Sequence, residues 1–307
     1  MKPLKDNAVW QLLKETGTAW DEDNVMRLAA SLAYYTLLSI APLIILAVAA
    51  AGLAFGEVTA REHIAKELSG VVGTGAASAI ESISQNAHTP GTGIPSVAVG
   101  LLVLLFGASG VFGELQSALN TVWNVKPKPG RGLLGMVKDR FFSFTLVVGV
   151  AFLLLVSLIF SAGLTWVGQA FESSLPGGAV VWQVMNFAIS LAVVTALFAL
   201  MFKTLPDVFI RWRDVWVGAA VTAGLFTLGK FVLGIYLGSA GVSSAYGAAG
   251  SIVALVIWVY YSSQVVLIGA EFTEAYARRF GSRILPGRHA VWTERSRPAE
   301  RSSAQAR

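Results

Sequence analysis

Lys230 stands in the run GLFTLGKFVLGIYL, residues 224–237, where every other side chain is apolar, a glycine, a threonine or a tyrosine. A lysine at the centre of a membrane helix costs roughly 2.5–3.5 kcal/mol on insertion scales. Such a cation has two uses. It can attract an anion, such as a phosphate or carboxylate headgroup, into a polar cavity, or its four-carbon stem can carry the charge to the interface. Neutral residues expected at a matching depth are Gln183 and Asn186, Ser161 and Thr165, and Tyr246 and Ser251. They could line an outward-facing cavity around the ammonium.

A second polar layer is expected in the other half of the membrane. SLAYYTLLS places Tyr34, Tyr35, Thr36 and Ser39 together; Glu114, Ser262, Ser263, Gln264 and Glu271 come from later apolar segments. Pro42 frees the carbonyl of Leu38 and should act as a hinge by kinking the first apolar helix. Two polar layers around a kinked helix suit alternating access or a path for lipid headgroups. Interhelical glue, at about 0.6 kcal/mol per polar contact, is the other reading.

Several chemistries find no motif. The chain has no cysteine, so it carries no disulfide framework or Cys-ligated zinc site. No GxxxxGK[ST] phosphate loop and no HExxH helix occurs. His63, His88 and His289 fall in separate loops and the tail. No catalytic residue, metal or cofactor is expected; a hydrolase would need Glu114 and Glu271 to converge on a metal ion.

The elements that must position these residues are membrane helices. Of 307 residues, 55% are hydrophobic and 13% charged, against about 25% charged in soluble domains. Six segments, at about 30–55, 94–113, 141–168, 180–203, 214–238 and 247–271, match the roughly 20 apolar residues that span a bilayer. An all-α bundle of six transmembrane helices follows, since open sheet edges cannot be satisfied in lipid. Twenty Lys and Arg residues fall in the termini and in the second and fourth connections, and only Arg61 and Lys66 fall on the other side. By the positive-inside rule both termini are expected in the cytoplasm.

The chain divides into a cytoplasmic amphipathic segment (1–29), a transmembrane domain (30–280) and a basic, disordered cytoplasmic tail (281–307). The opening residues are too polar for a signal peptide and are expected to be retained. Val9, Leu13, Thr16 and Trp20 mark a helix that rests on the membrane surface or packs on the protein's own loops. Residues 56–93 are expected to form two amphipathic helices over the outer mouth, beginning at the capping box TARE, Thr59 to Glu62. Gly52 and Gly56, and Gly234 and Gly238, are small-xxx-small pairs suited to close helix packing. The expected partners are membrane lipids, with anionic headgroups at the basic loops, and further copies of the chain; nucleic acid is not expected.

ASLAYYTLLSIAPL (Ala30 to Leu43), ALNTVWNV (Ala118 to Val125), Leu205–Pro206, Lys230, YGAAGS (Tyr246 to Ser251) and the stretch from IWVYYSS to GAEF (Ile257 to Phe272) together resemble the YihY/BrkB family of bacterial inner-membrane proteins. The resemblance covers about residues 10–285. It implies a six-span helical bundle in the plasma membrane with no settled molecular activity. The family's names come from virulence and serum resistance, and some members are linked with envelope lipid handling. An older label as a tRNA-processing ribonuclease finds no chemical support in these residues. The expected function is transport or flipping of an amphiphilic, anionic envelope component. A scaffold for envelope assembly and a membrane-embedded hydrolase or nuclease are the alternatives.

Overall fold

A computed structural model describes residues 4–39, 110–128, 178–239, 250–281 and 284–293. The expected helices of 56–93, Pro42, Thr165 and Tyr246 lie outside the described residues. Helix α1 spans Leu4–Glu22, and helical turns continue over 25–39 (α2) and 110–122 (α3). Three long helices follow: α4, Gly178–Thr204; α5, Trp212–Ser239; and α6, Gly250–Phe280. Within them Gln183–Thr204, Trp212–Tyr236 and Ile252–Phe280 are long and apolar enough to cross a membrane. Even the shortest, at 22 residues, reaches about 33 Å at 1.5 Å per residue, against a hydrocarbon core of about 30 Å.

Helix α5 lies between α4 and α6 and packs on both. Small residues set its contact with α6. A Cβ added at Gly218 would lie 2.6 Å from Thr273 Cβ, and one at Gly269 would lie 2.6 Å from Thr222 Cγ2. Gly229 faces Tyr261 in the same way. These pairings fix an antiparallel register in which the backbones approach as closely as glycine allows. On the other side, Phe198 of α4 meets Phe226 of α5 edge-on at 5.7 Å, and Phe226 meets Trp258 of α6 at 6.0 Å. Trp258, which sequence position alone leaves without an interfacial role, is therefore part of the aromatic packing between helices.

Helix α6 runs nine residues beyond its expected end at Glu271. Ala275 and Ala277 favour continued helix, and both are buried. Helix α1 docks against α6, burying Leu12 and Thr16 while Val9, Trp10 and Leu13 stay exposed. One face thus packs on a helix of the protein, not on its loops, and the other presents apolar residues outward. Arg279 donates to Glu15 at 2.8 Å and to Gln11, tying the two helices at this end.

At the same end the described residues form four short strands, β1 (Val125–Pro127), β2 (Val208–Phe209), β3 (Leu285–Pro286) and β4 (Ala290–Trp292). Antiparallel pairing sets Val125 opposite Trp292 and Val208 opposite Pro286. Residues 284–293 correct the expectation of a tail disordered from 281 onward. Gly287 N donates to Asp207 O at 2.7 Å, and Lys128 Nζ donates to Arg288 O at 2.8 Å. Ala290 is buried. Arginine-rich composition concealed these few residues because main-chain pairing, not side-chain type, holds them. The largest core side chains, Trp123, Phe202, Leu119 and Leu267, are also almost fully buried.

Candidate functional site

A cleft of about 410 Å³ opens at the strand-bearing end, lined by Asp23, Gln116, Ser117, Asn120, Thr121, Asn124, Lys126, Asp207 and Thr293 among others. Helix α3 supplies most of its wall. Gln116, Ser117, Asn120 and Thr121 share one helical face, while Ala118, Leu119 and Val122 are buried on the other. Asn124 ends the helix with φ 54°, the left-handed conformation that asparagine tolerates at a helix C-terminus. Asn120 then locks α3 to the α4–α5 connection reciprocally. Its Nδ2 donates to Asp207 Oδ2 at 3.0 Å, and Asp207 N donates to its Oδ1 at 2.8 Å.

Asp23 occupies the corner between α1 and α2. Asn24, with φ 53°, turns the chain there, and Arg27 N donates back to Asn24 O at 2.9 Å. The corner folds Asp23 inward, to 8% exposure, where its carboxyl comes within hydrogen-bonding reach of Glu271 of α6. Glu271 is 1% exposed, and its Oε1 has no hydrogen-bond partner. Glu274, one turn on, instead faces Arg278 at 3.6 Å. Arg278 and Arg279 both reach Glu15 of α1, at 3.8 and 2.8 Å. The arginines at this end therefore serve Glu15 and Glu274, while Glu271 is held by another carboxyl group.

Part of the expected inner layer assembles. Ser31 Oγ donates to Glu114 Oε1 at 2.6 Å, joining α2 to α3. Tyr35 and the buried Ser39 both lie against Gly110, so they border the same contact. Tyr34 is exposed and meets Tyr35 edge-on at 5.6 Å. Gln264 is half-buried on α6. Glu114 and Glu271 take different partners, Ser31 and Asp23. Among the described residues, no group of three or more His, Asp and Glu side chains is placed to hold a metal ion.

Lys230 is exposed on α5, with Phe231 and Val232 exposed beside it. Gln183 of α4 is exposed as well. Counting from the connection between α4 and α5, Asn186 and Lys230 lie at one level, each about eighteen residues or 27 Å away. Ser251 does not share that level. Gly229 packs against Tyr261, so Ser251 sits about ten residues, or about 15 Å, farther from the strand-bearing end. The longer α6 shifts the register from the one its expected boundaries suggest. The side chains of Asn186 and Ser251 lie outside the described residues.

Asp23, Asn120 and Asp207 are the site residues that sequence reasoning missed. Asp23 sits in DEDN; the signal was Asn24, a residue suited to a left-handed helix corner. The repeat of polar residues at helical spacing from Gln116 to Asn124 was the signal for the cleft wall.

The family model described as Virulence factor BrkB matches residues 16–292. The chain belongs to the BrkB family. The match extends through β3 and β4, whereas the resemblance read from sequence stopped near residue 285. Similar relatives are named UPF0761 membrane proteins. That of Tolumonas auensis is 32% identical over 198 residues, covering 63% of this chain and 62% of the relative. That of Rhodospirillum centenum is 30% identical over 259 residues, covering 82% and 54%. That of Halorhodospira halophila is 28% identical over 278 residues, covering 88% and 58%. The matched part of this BrkB chain thus spans between 54% and 62% of the length of these relatives. No solved structure matches it. The family and these names establish a membrane protein.

Proposed function

We propose that this chain crosses the bacterial inner membrane six times, with both termini in the cytoplasm, and moves an amphiphilic, anionic envelope component between leaflets. One observation carries the reading: Glu271, on a helix long and apolar enough to cross a membrane, is buried beside the cleft-lining Asp23 with one oxygen unpaired. Ionisable groups inside membrane helices are costly and mark ion or substrate pathways. A scaffold that only recruits partners through its surface gains nothing from such a group. The exposed Trp212 and Trp216, near Lys203, Arg211 and Arg213, support a cytoplasmic strand-bearing end. The exposed Lys230 then serves on the outside of α5, attracting anionic headgroups toward the bundle instead of lining a closed cavity.

Transbilayer movement of fluorescent phosphatidylglycerol tests this reading. The purified full chain is reconstituted into phosphatidylethanolamine–phosphatidylglycerol vesicles, and dithionite quenches label in the outer leaflet. Native protein should accelerate movement at least tenfold over protein-free vesicles, equivalent to about 1.4 kcal/mol of barrier. Lys230→Met should slow phosphatidylglycerol more than labelled phosphatidylethanolamine. Movement no faster than in protein-free vesicles contradicts transport and favours the scaffold.

A further inference from the structure

We infer that Asp23 and Glu271 form a proton-binding pair that connects the cleft with the interior of the bundle. It follows, resting on the transport reading above, that the proton is the coupling ion. Asp23 has a foot in each compartment: it lines the cleft, and its carboxyl lies within hydrogen-bonding reach of Glu271. Two carboxyl groups can share a hydrogen bond only while one of them carries the proton, because ionised carboxylates only accept. Glu271 is 1% exposed, and its Oε1 is left without a donor. A buried acceptor in that state forfeits its solvation unless something binds it.

The surroundings favour a proton over a metal cation. The charged groups that act on Glu271 besides Asp23 are Glu274 and Arg278 of α6, and Glu15 of α1 acts in turn on Glu274. Arg278 lies 3.6 Å from Glu274 and 3.8 Å from Glu15, so its charge is shared between them. Where α5 packs against this part of α6, Ala219 and Thr222 are buried and not titratable, while nearer the helix end the buried Asp214 of α5 lies against Gly281. Helix α3 offers neutral Asn120 and Thr121 to the cleft, with Lys126 and Asp207 at its edge. A calcium ion would need six to eight oxygens and magnesium a near-octahedral set, whereas one proton satisfies one free carboxylate oxygen.

The relay balances without any oxidant. Hydronium in the cleft gives a proton to the Asp23 carboxylate and leaves water. A proton crosses the shared hydrogen bond to Glu271, and Glu271 releases one on its inner side. At each step one O–H bond forms as another breaks.

Infrared difference spectroscopy of the full chain in the same vesicles tests the pair, titrated from mildly acid to mildly alkaline buffer. The native protein should show the C=O band of a buried protonated carboxyl at neutral pH, shifting on exchange into heavy water. Glu271→Gln should lose that band, and Asp23→Asn should displace it while circular dichroism stays native. If Glu271→Gln does not fold, displacement by Asp23→Asn alone supports the pair. A native spectrum without the band, or a band that the folded variants leave unchanged, overturns it. The band is read independently of lipid movement: vesicles that show it but move no lipid sustain the pair and sink the transport reading.

Discussion

Glu271→Gln is expected to insert normally, to retain or gain thermal stability, and to lose phosphatidylglycerol movement by tenfold or more. The two halves have one cause. A buried carboxyl with an unpaired oxygen is a standing cost to the fold, and replacing it with a neutral group of the same shape removes much of that cost. Glutamine can accept and donate hydrogen bonds to Asp23, so the corner between α1 and α2 should hold. It cannot bind and release a proton. A tenfold loss is about 1.4 kcal/mol of transition-state stabilisation, small for a residue on the pathway. Melting curves in detergent and the dithionite assay separate the two effects. Full activity in Glu271→Gln contradicts a role on the pathway. Parallel loss of stability and activity makes Glu271 a structural residue.

Gly269→Val is the substitution expected to damage the fold most. The valine Cβ would enter the space of Thr222, whose Cγ2 and Cβ lie 2.6 and 2.8 Å from the position it must occupy. Thr222 cannot swing aside, because its Oγ1 donates to Gly218 O at 2.7 Å and its own Cβ is fixed by the helix. Helices α5 and α6 must separate, and overpacking of this kind costs typically 1–3 kcal/mol. The neighbouring contact of Gly218 with Thr273 would be strained by the same movement. Gly224→Ala is the control: no neighbouring atom lies within 4 Å of its added Cβ, and alanine favours helix over glycine by about 1 kcal/mol. The melting temperature should fall clearly for Gly269→Val and stay level or rise for Gly224→Ala. Equal effects would mean that the α5–α6 register is different.

The long helices were legible because the chain announces them with runs of apolar residues. Expected spans at 180–203 and 214–238 fall within α4 and α5 almost to the residue. Glu114, Glu271, Tyr35 and Ser39 could be picked out for the same reason, as polar side chains among apolar ones. Their pairings were not legible. Glu271 meets Asp23, nearly 250 positions earlier, and only the corner at Asn24 brings the two together. Lys230 drew attention by contrast with its neighbours, yet the face of α5 it occupies depends on helix rotation, which α4 and α6 decide. The four strands were missed because each is two or three residues long, too short for period-two alternation to register. Asp207 was not singled out, although Asn120 holds it through two hydrogen bonds.

The chain contains no native cysteine, so a single one can report on the cleft without background. Ser117→Cys and Thr121→Cys place a thiol on its wall. The measurement is labelling by a membrane-impermeant maleimide in intact cells and in inside-out vesicles. The account predicts rapid labelling in inside-out vesicles and none in intact cells, because it makes the cleft the cytoplasmic approach to Asp23 and Glu271. Labelling from outside the cell, or from neither side, would contradict it.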